Sequence, residues 1–268
     1  GSGRADQPDA RRTMTPTRLA GRAATSWSQL STDTTTAATP GFDPDAIGHL
    51  PEPVARWLRH TVEPGAPLRL GTTLEMHGSI RIGSWRPFTA RQVIAPTGYV
   101  WAAEAGRFPL VVRGFDRFSD DTGEMRWRLL GVVPVVRASG PDVSRSAAGR
   151  LAGEIIGLTP GGALWSGVTW RPIDRDRATA TVKAGGFVHQ VTIQVDERGA
   201  LRSVSLPRWG NPDRGAFDLH PFGVDFRGEV TFGAYTIPTV LRAGWWFGTP
   251  RWDEGEFFRC EIERASFH

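Results

Sequence analysis

Two side chains stand where a proton could be moved. In the stretch 187–195, Phe187, Val191, Ile193 and Val195 occupy alternate positions, and His189 shares their row. A period of two sends such a row to one face of a β-strand, so the imidazole is expected to point inward. There it is either an acid/base whose pKa burial can move across neutrality or a core histidine bonded to a carbonyl. Glu154 follows Arg150 by four residues. On a helix the two form an i,i+4 ion pair. Facing a desolvated hollow, Glu154 would instead become a proton donor or acceptor. His189 and Glu154 are the candidate catalytic residues.

The candidate ligand-binding residues are mostly aromatic. The 268-residue chain holds eleven tryptophans against two tyrosines, and most of the tryptophans fall in or beside alternating stretches. Tryptophan is large and apolar, with one donor that needs an acceptor. Trp85, Phe88, Trp101, Trp127 and Trp245 therefore either fill a core or line a pocket for an apolar ligand. Gln92 and Tyr235 lie in the same stretches and join this set. Arg208, beside Trp209, can clamp a carboxylate or enolate, or stack on the indole. His220 falls in 208–223, a segment rich in Gly and Pro that is expected to be a long loop. Its aromatic residues would form a lid or tuck into the core as plugs. Asp116, Glu104 and Asp225 read as rim ion pairs.

Other chemistries lack their residues. The six histidines show no His-x-x-x-His or His-x-His spacing, and one cysteine cannot build a zinc site, so no metal is expected. No nucleotide-binding glycine loop or Gly-x-Ser-x-Gly elbow occurs, and no cofactor is expected. Cys260 sits in the alternating run 257–267 and reads as a buried, inert thiol. A single cysteine also agrees with a reducing compartment. The pI near 10.1 reflects arginine usage. Lys183 is the only lysine, leaving 31 of 32 basic residues as arginine. Five Arg and three Asp in residues 1–40 give +2, so the remaining 228 residues supply only +2 of the total +4. A nearly neutral domain is a poor phosphate tracker, and no nucleic-acid partner is expected. No run reaches the ~18 apolar residues of a membrane helix, and no apolar secretory stretch is present. Gly1–Thr13 reads as an expression scar with Met14 as the native start, which places the product in the cytoplasm. The sequence leaves the oligomeric state open.

These residues need elements to hold them. Residues 1–40 are rich in Ser, Thr, Ala and Arg, with a low-complexity run from Ser31 to Pro40, and read as a mostly disordered arm in which Leu19–Leu30 forms at most a transient helix. Residues 41–268 read as one β-rich domain. A short helix is expected over 51–60, with Val54, Trp57 and Leu58 on one face. Alternation predicts strands over 68–82, 86–95, 98–105, 109–117, 123–137, 167–174, 177–184, 187–196, 201–207, 224–233, 236–247 and 255–267. Gly185-Gly186 and 196–199 read as hairpin turns. Val143–Ile156 has helical period, with Ala147, Leu151 and Ile155 on one row, Ser144 or Ser146 as cap, and Gly157 and Pro160 as stop. A lone apolar helix between two blocks of strands must bury its stripe on them. The expected fold is mainly β: a curved antiparallel sheet, a half-open barrel wrapped around one inserted helix, its two blocks possible sub-sheets.

Four separated segments carry a resemblance: Trp85-Arg-Pro-Phe-Thr-Ala-Arg-Gln92 with Gly98-Tyr-Val-Trp-Ala-Ala103; Arg150-Leu-Ala-Gly-Glu154; Ala163-Leu164 with Val168-Thr-Trp170; and Tyr235-Thr-Ile-Pro-Thr239 followed by Trp245. Together, over roughly residues 48–268, they resemble an uncharacterised bacterial and actinobacterial family of domain-of-unknown-function type. That resemblance implies no reaction. The architecture is distantly similar to the lipoprotein-carrier fold, an open β-barrel around helices with an apolar cavity. The chain departs from the family at Leu151, where an aromatic usually follows the arginine, and in the Thr-Pro-Gly-Gly segment before Ala163. The leading expectation is binding of a hydrophobic small molecule of lipid, polyketide or terpenoid class. The alternatives are a cofactor-free isomerase, cyclase or hydrolase acting on such a ligand, and a structural or interaction module with a filled core.

Overall fold

The computed structural model describes residues 19–32 and 41–268. The expected expression scar, start residue and most of the low-complexity run lie outside the described residues. Two helices come first, α1 (Arg22–Leu30) and α2 (Glu52–Thr61). A meander follows: β1 (Thr72–Ile82), β2 (Ser84–Ala95), β3 (Gly98–Ala105), β4 (Val112–Ser119), β5 (Thr122–Leu129) and β6 (Val133–Ser139). Helix α3 (Pro141–Leu158) and a 3-10 turn (Pro160–Leu164) lead to a second meander: β7 (Val168–Pro172), β8 (Arg177–Ala184), β9 (Phe187–Val195), β10 (Leu201–Gly210), β11 (Asp218–Phe232), β12 (Tyr235–Trp245) and β13 (Glu256–Phe267). A single turn of helix, α4 (Trp252–Gly255), precedes the last strand.

The two meanders are one sheet rather than two sub-sheets. Strand order runs β6-β5-β4-β3-β2-β1-β13-β12-β11-β10-β9-β8-β7, and antiparallel pairing of β1 with β13 joins the halves. The sheet curls into a half-barrel whose wings approach each other. A methyl group placed on Gly185, in the β8–β9 turn, would meet the Phe118 ring of β4 at 3.0 Å.

Helix α3 lies in the hollow. Its apolar rows, Ala147, Ala148, Leu151, Ala152, Ile155 and Ile156, are buried as the helical period requires. Gly149, Gly153 and Gly157 form a further row of small residues spaced by four. Their nearest neighbours are Arg208 and His189, then Leu206 and Val204, then Phe226 and Val204. Missing side chains therefore let the helix backbone approach β10 closely. The cap differs from expectation: Gly140 occupies the N-cap, no side chain caps the helix, and Ser144 Oγ instead accepts from the Gly123 N–H at 3.0 Å.

Three further differences have local causes. The stretch 123–137 is two strands, because Leu130 and Gly131 turn the chain at φ 52° and 75°; an apolar residue in the left-handed region leaves no turn signature. The segment 208–223 is not a long loop. Arg208 and Trp209 belong to β10, paired with His220 and Leu219 of β11. Pro207 and Pro221 sit opposite each other, beyond the last paired residues of β9 and β12, where a missing N–H harms the ladder least. Finally, α1 docks on the outer face of β2 and β3. Leu30 packs with Val93, Ala95 and Val100, and the Arg91 guanidinium lies 4.5 Å over the Trp27 ring. Within the arm read as mostly disordered, Arg22–Leu30 thus forms a docked helix. Among the described residues, no helix is long and apolar enough to cross a membrane.

Candidate functional site: a cavity between α3 and the sheet

A cavity of about 520 Å³ separates α3 from the concave face, within the size range of small-molecule sites, about 300–1,000 Å³. Period-two rows from both halves of the chain build its wall: Met76 and Ile80 of β1; Val204, Leu206 and Arg208 of β10; Phe222, Val224 and Phe226 of β11; Leu241, Ala243 and Trp245 of β12; and Phe258, Cys260 and Ile262 of β13. Most of this wall is apolar. The Cys260 thiol is buried and pushed up to about 12, chiefly by burial, as an inert core thiol should be.

One side of the wall is polar. Arg150 of α3 donates from Nε to Glu154 Oε1 at 2.7 Å and from Nη1 to Asp116 Oδ2 of β4 at 3.3 Å. Gln92 of β2 donates to the other Glu154 oxygen at 2.7 Å, and the Trp127 indole of β5 donates to Asp116 Oδ1 at 2.9 Å. Every oxygen of the two carboxylates thus has a donor. Burial pushes the Asp116 carboxyl above the ordinary carboxylate range, against the opposing pull of Arg150 and the indole. Burial opposes the charge on Arg150 as well, but Glu154, Tyr99 and Asp116 together hold its pKa above the ordinary arginine value. The guanidinium lies 4.4 Å over the Tyr99 ring, and burial pushes that phenol up to about 12. Deeper on the same side, Arg117 and Glu124, register partners on β4 and β5, bond at 2.8 Å.

The structure divides the expected site residues. Glu154, Gln92, Trp101, Arg208 and Trp245 line the cavity. Phe88 and Trp127 stand behind the wall: Phe88 packs on Trp101 and Phe258 at 5.6 and 5.1 Å, and Trp127 on Trp101 at 5.6 Å. The others lie elsewhere. His189 is half-buried beside α3, its Nε2 donating to the Ala184 carbonyl at 3.3 Å, and burial lowers its pKa. Trp209 ties β10 to the start of α3, donating to Asp142 at 2.8 Å beneath the Arg145 guanidinium. His220 stands edge-on to Trp246 at 5.0 Å. The Tyr235 hydroxyl donates to the Pro67 carbonyl and accepts from the Arg69 N–H at 2.9 Å. Trp85 is 36 % exposed, with the Arg259 guanidinium 4.4 Å from its ring.

Asp116 is the residue that sequence reasoning placed wrongly, as a rim charge. The hairpin register pairs it with Trp101 of β3, an inward position. The six residues between β3 and β4 hid that register, because a turn's length and type set it. One available signal was Gly114, where a Cβ would meet the Trp127 ring at 2.7 Å, so the glycine makes room for the indole that reaches Asp116.

Likeness to solved structures is shallow. A domain described as an outer membrane lipoprotein-sorting protein from Vibrio parahaemolyticus shares 10 % identity at a TM-score of 0.36, covering 74 % of this chain and 85 % of that one. A LolA superfamily protein from Nitrosomonas europaea shares 7 % at 0.39, covering 75 % and 86 %. No curated protein matches the chain. The model of a family of unknown function, DUF6544, matches residues 40–257 and spans the whole cavity-forming sheet up to the first residues of β13, and the chain belongs to that family.

Proposed function

We propose that the protein binds a hydrophobic small molecule, of lipid, polyketide or terpenoid class, in the cavity between α3 and the half-barrel. The single observation behind this reading is the cavity itself. Five strands and a helix turn apolar rows toward about 520 Å³ of unfilled space. Retention of the space, with the large aromatic residues Trp101, Phe222, Trp245 and Phe258 on its wall, fits an apolar occupant and speaks against a filled structural core.

Native mass spectrometry of the purified protein, followed by organic extraction, tests this reading. The expected result is a stoichiometric apolar compound, or stoichiometric uptake of one when a panel of such compounds is offered. Failure of every apolar compound to bind would refute it.

A second reading, a cofactor-free isomerase, cyclase or hydrolase acting on the same ligand, draws support from Asp116, whose buried carboxyl has a raised pKa beside the cavity. A group shifted that way suits proton transfer. In this reading Asp116→Asn keeps ligand binding and accumulates unconverted compound; an identical bound compound in both proteins contradicts it.

A further inference from the structure

Three arginines line the cavity, and they are not equivalent. Arg117 is held by Glu124, and Arg150 by both Asp116 and Glu154. Arg208 has no carboxylate within ion-pair distance among the described residues. Its Nε donates to the Ser146 carbonyl of α3 at 3.1 Å. Its guanidinium lies 4.5 Å from the Phe222 ring and 5.3 Å from the Trp245 ring. Gly149, where a Cβ would stand 3.3 Å from Arg208 Cγ, lets the stem pass beneath the helix. The side chain is therefore fixed by a carbonyl, two rings and a glycine, and none of these neutralises it. Its terminal nitrogens make no hydrogen bond to any described residue, while the residue keeps accessible surface and lines the cavity. Asp116 and Glu154 act on it only through space, and their oxygens are already taken by Arg150, Gln92 and Trp127.

A charge withdrawn from water without a partner is expensive, and the expense falls away when a ligand brings the opposite charge. Burial lowers Arg208 to about 10, so it is still a cation at neutral pH. The arginine fork matches carboxylate and phosphate oxygens.

We infer that Arg208 receives the acidic head of an amphipathic ligand, a carboxylate or phosphate monoester, whose apolar body fills the cavity along β11 to β13. This deepens the hydrophobic-ligand reading and rests on it. The other cavity charges already engage one another, Arg117 with Glu124 and Arg150 with both Asp116 and Glu154, so Arg208 alone stands open to an anionic head.

Binding of lauric acid, lauryl phosphate and lauryl alcohol to the full chain tests the assignment, measured by calorimetry on the wild type, Arg208→Met and Arg208→Gln. Removing an unpaired buried charge should leave the fold intact, and the two replacements guard against a packing defect in either. In the wild type one or both anions should bind about ten- to a hundredfold tighter than the alcohol, the scale of a hydrogen bond to a charged group. The tighter anion identifies the head. Both variants should lose that preference, the two anions binding no tighter than the alcohol. Equal binding of all three ligands by the wild type, or a preference that survives in the variants, overturns the role of Arg208 while leaving the apolar cavity reading in place. Failure of all three to bind the wild type contradicts that reading itself, and this inference with it.

Discussion

Arg150 donates to Glu154 across 2.7 Å, one helical turn along α3. The same guanidinium reaches across the cavity wall to Asp116 on β4 at 3.3 Å. The pairing therefore does more than an exposed i,i+4 ion pair, which is worth only a few tenths of a kcal/mol. It pins the helix to the first meander beside the space that the second meander lines.

Replacing Arg150 with Met strands two part-buried carboxylates. Side-chain accessibilities of 19 % for Arg150, 15 % for Asp116 and 17 % for Glu154 leave little water to compensate. The expected loss of stability at pH 7 is on the order of 3 kcal/mol, read by urea unfolding. The deficit should shrink at lower pH as the stranded Asp116 carboxyl takes up a proton. A variant as stable as the wild type would mean that the network contributes nothing net.

Glu256 sets a different pH dependence. Arg242 grips it at 2.8 and 2.9 Å and Arg259 at 2.7 and 2.9 Å, each with two donors. These bonds outweigh burial and hold its pKa down to about 2. A carboxyl depressed in the folded state stabilises fully above its unfolded pKa, about 4.3. That contribution fades as the pH falls toward 2. Wild-type stability should therefore decline between about pH 5 and pH 2 more steeply than that of Glu256→Gln, which starts lower. Parallel declines would contradict the role given to Glu256.

The glycine row of α3 makes a graded prediction. At Gly153 an added Cβ would stand 3.5 Å from Leu206, an ordinary contact; at Gly157 it would stand 3.2 Å from the Phe226 ring. Alanine is favoured over glycine in a helix by up to about 1 kcal/mol. Gly153→Ala should therefore raise the thermal midpoint, and Gly157→Ala should raise it less or lower it. The reverse order would show that α3 does not sit on β10 as described.

Strand periodicity made the sheet legible, because a half-buried antiparallel strand writes its inward face at every second residue. The inserted helix was equally clear from Ala147, Leu151 and Ile155. Errors arose where an apolar residue took a turn position, at Leu130, and where strands carried turn residues, at Pro207 and Pro221. The site was half legible. Glu154, Gln92, Trp101 and Trp245 were readable because they fall in the family-like segments, whereas Arg208 stood out only as a charge beside Trp209 in a stretch expected to be a loop. His189 kept its inward alternation, but curling of the sheet sets it beside α3, away from the cavity. Asp116 needed a register that its own hairpin turn does not spell out. Tyr235 and Trp85 shared the family segments, yet one anchors the chain before β1 and the other stacks outside; the aromatic character of a segment does not say which face it serves.

If the space between α3 and the sheet takes an apolar molecule, a side chain that fills it should displace that molecule. Ala243 of β12 lines the cavity. An environment-sensitive apolar dye should bind the wild type saturably, one per chain. Ala243→Trp should weaken that binding by about tenfold or more while leaving the unfolding midpoint near the wild-type value, since an indole entering empty space avoids the usual overpacking penalty of about 1–3 kcal/mol. Dye binding that is absent in the wild type, or unchanged in the variant, would show that this space holds no apolar ligand.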